Sequence, residues 1–175
     1  MERNREITVK GIGSLKAPVD LVILSLSLDE LNKDYEAGYA DFENHICALQ
    51  EAVVSAGFRK SDLKTTEITV TTKYENTKRS GTYTDVFVGY QFGNDLKLEF
   101  AFDSHKLGTI LQAIGKSGVT PKTNVSFSVK DVEAVKNRLL ANAAKDARQK
   151  ATVLCEAMGV KLGKLLTIQY NWDEI

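Results

Sequence analysis

The sequence contains few of the residues that most often carry catalysis or bind metal ions. Its 175 residues include only two cysteines and two histidines. His45 and Cys47 lie two positions apart in a predicted helix, so their side chains point roughly 200° apart and do not suit a shared metal ion. The chain shows neither a Cys–His nor a Ser–His–Asp pattern, so no nucleophile can be named. We therefore predict no catalytic residues, no metal site and no cofactor.

Both cysteines, Cys47 and Cys155, fall within predicted helices. We expect two buried free thiols, with a disulfide between them as the alternative. His105 falls in the first turn of a short predicted helix, where we expect a solvated side chain. An enzymatic function would require a carboxylate close to His45 or His105 in a cleft.

The sequence also lacks an excess of charge of either sign. Lys and Arg together number 23, as do Asp and Glu, so no net field favours nucleic acid as a partner. The hydrophobic share of 43% and the charged share of 26% are typical of a globular protein. With only two prolines, the chain has little sign of linkers. We predict one domain over residues 1–175, with its core over residues 6–170.

Long apolar runs are absent as well. No stretch approaches 18 apolar residues, so we predict no membrane insertion. The N-terminal residues lack the apolar segment of a signal peptide. We therefore expect a cytoplasmic protein as the sequence stands, or a periplasmic or other extracytoplasmic one if a leader was removed before Met1.

The most regular pattern predicts a long amphipathic helix over residues 131–159. Apolar and small residues recur there at steps of three and four. Asp131 is a suitable N-cap, and Gly159 a suitable left-handed stop with Val160 turning back towards Cys155. The helix would be roughly 40 Å long, and its central alanines allow close approach to a flat surface. Asp146 and Lys150 are interpreted as an ion pair on its exposed face.

The other patterns predict a mixed, mainly antiparallel sheet with helices packed on one face. Alternating apolar residues predict strands at residues 6–10, 19–28, 63–74, 86–102, 125–129 and 165–172. Helical spacing predicts further helices at residues 35–56 and 103–118. The order is therefore β-β-α-β-β-α-β-α-β, an α+β fold that includes the long C-terminal helix. A bulge is predicted at Gly93 and Asn94.

Two glycine-containing segments have competing interpretations. Gly11-Ile12-Gly13 matches a phosphate-binding loop only weakly, because no third glycine and no helix follow, so a turn is favoured. Residues 75–85 are polar and predict an exposed hairpin loop. Lys78, Arg79 and Tyr83 in that loop form a candidate interaction site, although a solvated tip is the simpler interpretation.

The C-terminal third resembles the hallmark of SIMPL-domain proteins, a largely bacterial family with YggE-like members. Their pattern is an alanine-spaced helix followed by G-x2-LG and a strand. The matching residues here are Ala141, Ala144, Asp146, Ala147, Lys150, Ala151, Gly159, Leu162 and Gly163. Gly11 and Gly13 are similar to the family's opening V-x-G-x-G, and the resemblance covers roughly residues 6–170. Cys155 departs from it, since small or apolar residues are usual there.

The resemblance implies a domain of unknown function without an established enzymatic activity or cofactor. It also implies a link to oxidative-stress defence and to assembly, and it suggests that the motif residues serve packing. Our first hypothesis is a non-enzymatic, homo-oligomeric assembly or interaction protein that uses its sheet edges and long helix. The alternative is a small-ligand-binding module with a pocket between sheet and helices.

Overall fold

The structure is a computed structural model that describes residues 6–79 and 82–170. The described residues form two compact units, one spanning residues 18–130 and the other combining the residues up to 17 with those from 131 onwards. A single domain over residues 1–175 stays a prediction. The strands are β1 (Leu21–Asn32), β2 (Leu63–Arg79), β3 (Thr82–Ala101) and β4 (Lys122–Ser128). The helices are α1 (Tyr35–Ser55), α2 (Ser104–Lys116) and α3 (Val132–Ala157), with a short 3₁₀ turn at Lys60–Asp62.

The unit spanning residues 18–130 is a four-stranded sheet with two helices on one face. The strand order is β2-β3-β1-β4, and every neighbouring pair is antiparallel. Every second residue of β1 from Val22 to Leu28 is buried, because one face of that strand meets the helices. The core residues shared by sheet and helices include Val22, Leu24, Leu26, Leu49, Val53, Ile110 and Ile114. The predicted α+β class is therefore confirmed.

The three predicted helices form close to their expected limits. Asp131 caps α3 by accepting a hydrogen bond from the Ala134 amide at 2.8 Å. At the other end Gly159 is left-handed with φ +66°, and the Val160 amide donates to the Cys155 carbonyl at 2.9 Å. This is the Schellman stop that the sequence predicts.

Two of the predicted strands do not form within the described residues. Residues 6–20 and the described residues 160–170 contain neither helix nor strand, so the strand predicted at residues 6–10 is wrong. The strand predicted at residues 165–172 is absent as far as residue 170, and its last two positions lie outside the described residues. A strand requires a neighbour that supplies ladder hydrogen bonds, and α3 is the only regular element described in that unit. The order of the described elements is therefore β-α-β-β-α-β-α.

The exposed hairpin predicted over residues 75–85 forms, but its description as a loop is wrong, because β2 and β3 stay paired as far as Arg79 and Thr82. Side chains link the two strands across this hairpin. Asn76 Nδ2 donates to Asp85 Oδ1 at 2.8 Å, and Lys78 Nζ lies 5.6 Å from the centre of the Tyr83 ring. These cross-strand pairs stabilise pairing in a segment whose composition is polar.

The bulge predicted at Gly93 and Asn94 is wrong too. Gly93 pairs regularly with Thr69 of β2 and with Asp29 of β1. The register shifts of the β2–β3 pair lie instead at Thr65/Glu67 and at Lys73/Tyr74. Residues 67–73 of β2 are consequently a regular stretch bounded by an irregularity at each end.

Candidate functional site

The N-terminal segment lies directly on the middle of α3. The Ile12 amide donates to Asp146 Oδ2 at 2.7 Å, and Asn142 Nδ2 donates to the Ser14 carbonyl at 3.0 Å. Lys150 Nζ donates to the Lys10 carbonyl at 3.2 Å. We call this arrangement of residues 10–14 on residues 139–150 the clasp. It places part of the chain's own backbone on the alanine-rich stretch predicted to lie on a flat surface.

The two glycines of the clasp are required by the closeness of the helix backbone. A Cβ atom built on Gly11 would lie 2.0 Å from the Ala143 carbonyl oxygen and 2.7 Å from the Ala147 Cβ. One built on Gly13 would lie 2.1 Å from the Leu139 carbonyl oxygen. Both separations are far inside van der Waals contact, so only glycine fits. The interpretation of Gly11-Ile12-Gly13 as a turn is therefore corrected.

Asp146 and Lys150 hold this segment in place rather than forming a simple surface pair. Lys150 Nζ lies 2.7 Å from Asp146 Oδ2, so one carboxylate oxygen receives both the ammonium group and the Ile12 amide. The Lys150 hydrogen bond, followed by that of the Ile12 amide, lowers the pKa of Asp146 below its usual value. The interpretation of Asp146 and Lys150 as an exposed ion pair missed their contacts with residues 10–14. The signal in the sequence was that a Gly-x-Gly segment and an alanine-spaced helix occur in the same chain.

The remaining motif residues have varied positions. Ala151 is buried, whereas Ala144 is exposed. Gly159 terminates α3, and a Cβ atom built on Gly163 would meet nothing within 4 Å. A packing role for the whole motif stays a prediction, with the contacts at Ala147, Asp146 and Lys150 as its support.

The histidines occupy surface positions. His45 Nδ1 lies 2.5 Å from Glu30 Oε1, and 43% of the His45 side chain is exposed. His45 lines neither of the two surface grooves described below. His105 is exposed, and its amide donates to the N-cap Asp103 at 2.9 Å. Within residues 6–79 and 82–170, no cluster of three or more His, Cys, Asp or Glu side chains could hold a metal ion.

The two thiols are both free but differ in their surroundings. Cys155 is buried on α3, as predicted. Cys47 is exposed, so the prediction that it is buried is wrong. Cys47 lies on a side of α1 that the sheet does not cover. Helical periodicity alone does not show which sides of a helix the sheet will cover.

An open groove runs between α1 and the edge strand β2. It encloses about 450 Å³ and is lined by Tyr39, Phe42, Glu43, Asn44, Ile46, Cys47, Gln50 and Ile68. Helix α1 packs on β1 and β3, which leaves Ile68 60% exposed and Val70 42% exposed on β2. We call this feature the α1–β2 groove. Of the described features, this groove is most similar to the predicted pocket between sheet and helices, although it is open along one side.

A buried amide lies beside this groove. Asn94 is 2% exposed, and among the described residues neither its Nδ2 nor its Oδ1 has a hydrogen-bond partner. Asn94 is the register partner of Ile68, which lines the groove. An unsatisfied buried amide is costly, so it is a chemical reason to consider a polar ligand there.

A second groove of about 370 Å³ is polar and lies at the other end of β2. Two of its cations are already neutralised: Arg59 lies 2.7 Å from Asp62, and Lys97 lies 2.5 Å from Glu99. The Arg59 hydrogen bonds lower the pKa of Asp62. These paired charges do not form an anion-binding cluster.

A connected series of aromatic rings extends from α1 onto the long β2–β3 hairpin. Neighbouring ring centres are separated by 6.4, 5.3, 5.2 and 5.7 Å in the order Tyr39, Tyr35, Tyr90, Phe87 and Tyr74. We call these five residues the aromatic ridge. The sequence prediction missed it, because strict alternation places Phe87 and Tyr90 on opposite faces of a strand, and the register shift at Lys73/Tyr74 that pairs Phe87 with Tyr74 was not predicted.

The predicted interaction residues lie at the far end of the same hairpin. Lys78 is exposed and lies over the ring of Tyr83, which is 65% exposed. The Arg79 backbone pairs with Thr82, and its side chain lies outside what the structure describes. Their role in binding stays a prediction.

Comparisons with known proteins identify a family, and the solved structures that are similar to the chain include CutA. Residues 7–174 match the SIMPL family, described as a protein of unknown function (DUF541). No curated protein matches the chain. A structure of CutA from Synechococcus elongatus is similar at 14% identity, covering 74% of this chain and 96% of that one, with a TM-score of 0.32. Among the described helices, none has the length and apolar character needed to cross a bilayer.

Replacing Gly11 with Ala tests the clasp. The new methyl group would collide with the Ala143 carbonyl, so we expect a loss of about 1–3 kcal/mol in the free energy of unfolding. Hydrogen exchange at the Ile12 amide should also accelerate. The control is Gly163→Ala in the same unit, where the added methyl group meets open space. Equal exchange rates in the two variants would contradict the assigned contact.

Replacing Asp146 with Asn tests the electrostatic part of the clasp. Because the folded-state pKa of Asp146 lies below its unfolded value, its charge stabilises the protein above about pH 4, the ordinary aspartate pKa. That contribution is lost as the pH falls through the folded-state pKa. We therefore expect the stability difference between wild type and D146N, measured by urea unfolding, to be constant near neutrality and to shrink below about pH 4. The exposed Asp41→Asn serves as the control and should change stability little at any pH.

Proposed function

We propose that this chain, which belongs to the SIMPL family, is a non-enzymatic protein that assembles with further copies of itself. The observation that carries the proposal is the aromatic ridge. Its outer members Tyr35, Tyr39 and Tyr74 are 43%, 42% and 57% exposed. Aromatic side chains are enriched at protein interfaces, because they bury a large area and lose little conformational freedom.

The geometry of the ridge supports an interface rather than scattered surface residues. Tyr35 meets Tyr90 edge to face, and Phe87 meets both Tyr90 and Tyr74 in the same manner. These contacts hold the rings in fixed positions before any partner arrives. Contiguous apolar surface of this kind mostly marks association sites.

The described polar residues support a non-enzymatic role. His45 has a carboxylate neighbour in Glu30, the arrangement that an enzyme hypothesis requires, but the pair lies outside both described grooves. A general base must lie within hydrogen-bonding reach of a bound substrate. The family resemblance also implies a role in oxidative-stress defence. In this proposal the protein would assemble as part of that defence.

The substitution Tyr74→Glu tests the ridge as an assembly surface. We expect light scattering after size exclusion to give wild type a mass that is a multiple of 19.3 kDa. Burying a new carboxylate in the interface should shift the variant towards the monomer. Thr71→Glu is the matched control, since Thr71 is exposed on the opposite face of the same strand. A wild-type monomer at high concentration, or equal masses for both variants, would refute the assignment.

The second candidate function is a small-ligand-binding module, favoured by the unpartnered Asn94 beside the α1–β2 groove. An amide or carboxylic acid ligand would satisfy both atoms of the Asn94 side chain. In a thermal-shift screen of small amides and carboxylic acids, a ligand that binds the native state should raise the melting temperature. Asn94→Leu should abolish that shift and retain the fold, because Leu is close in volume and needs no hydrogen bond. A shift that persists in N94L would place the ligand elsewhere.

A further inference from the structure

We infer that residues 160–170 of one copy add as a fifth strand beside β2 of a second copy and fill its α1–β2 groove. We call residues 160–170 the tail. The inference rests on the proposed self-assembly and specifies how two copies join. It commits to a second copy of this chain as the occupant of the groove.

The tail has the alternating pattern of a strand, but residues 160–170 do not form one. Val160, Leu162, Leu166 and Ile168 lie at even positions, with Lys164 between them, and are 40–74% exposed. Among the described backbone hydrogen bonds outside helices and strands, none involves residues 161–169. A segment that alternates in this way is suited to a half-buried strand, and a ladder would satisfy the amide and carbonyl groups of residues 161–169.

The β2 edge offers a neighbour for such a strand. Among the described strands, whose order is β2-β3-β1-β4, none pairs with the outer side of β2. Residues 67–73 form its regular stretch, long enough to pair with most of the tail. A strand added there would lie about 4.8 Å from β2. Its alternate side chains would then enter the space beside Ile68 and below Tyr39 and Ile46.

Charge also favours this pairing. The tail carries Lys161 and Lys164 and has no acidic residue from position 160 to position 170. The α1–β2 groove is lined by Glu43 and by no Lys or Arg. Peptides commonly bind by adding a strand to an open edge, with backbone hydrogen bonds supplying affinity and alternate side chains supplying specificity.

A native thiol makes the inference testable. Cys47 lines the groove and is exposed, whereas Cys155 is buried. One preparation keeps Cys47 and carries Cys155→Ser. The other carries Cys47→Ser, Cys155→Ser and either Leu166→Cys or Ile168→Cys. The two full-length preparations are mixed and gently oxidised, and mass spectrometry then identifies disulfides between Cys47 and the introduced thiol.

We expect the mixture to form this disulfide with one of the two tail positions. The matched control is Thr167→Cys, whose side chain points to the other side of the added strand. Its yield should be roughly tenfold lower, because disulfides form only between closely placed thiols. As a measurement without oxidation, Ile168→Asp should lower the assembled mass in light scattering, whereas Thr167→Asp should not.

The remaining outcomes overturn the inference in distinguishable ways. Assembly without any disulfide to Cys47 would refute tail addition at this edge and leave self-assembly standing. A monomeric wild type with no disulfide would refute both. A chain that carries both Cys47 and Ile168→Cys but forms only an internal disulfide would show that the tail occupies its own groove. Equal disulfide yields from Thr167→Cys and Ile168→Cys would show that the tail reaches the groove without pairing as a strand.

Discussion

The close approach of residues 10–14 to α3 is the constraint on which the unit containing that helix depends. Gly11 lies so near the Ala143 carbonyl that any side chain would collide with it. At that distance the Ile12 amide needs an acceptor from the helix, and Asp146 supplies one at 2.7 Å. Lys150 then balances the carboxylate. The glycines of the N-terminal segment and the alanines, aspartate and lysine of α3 thus form the two sides of a single contact.

The sequence predicted the helices well because their determinants are local. Asp131 and Gly159 terminate α3 through groups at most five residues away. Strands are different, since alternation indicates a half-buried segment but not the neighbour that pairs with it. Residues 6–10 have that alternation and instead lie in a unit whose described regular element is a helix. The tail has the same pattern, and it too contains no strand as far as residue 170.

The candidate site was harder to predict because its contacts are distant in the chain. Ile12 and Asp146 are separated by 134 positions, so the Gly-x-Gly segment could be interpreted only by its local preference for turns. Composition misled in the hairpin, because Asn76, Asp85 and Lys78 are individually uncommon in strands, yet they form cross-strand pairs there, Asn76 with Asp85 and Lys78 with Tyr83. The register shift at Lys73/Tyr74, which no local pattern indicated, is what pairs Tyr74 with Phe87 in the aromatic ridge.

Magnitudes indicate that the tail and the aromatic ridge act together in assembly. Full burial of an aliphatic side chain contributes about 1.5–3 kcal/mol, and the tail offers only a few such side chains, each already partly covered. Association of two chains costs about 4–15 kcal/mol before any gain appears. Tail addition alone would therefore be marginal. Tyr39 belongs both to the groove and to the ridge, so a copy seated in the groove would also cover aromatic surface and add the missing stabilisation.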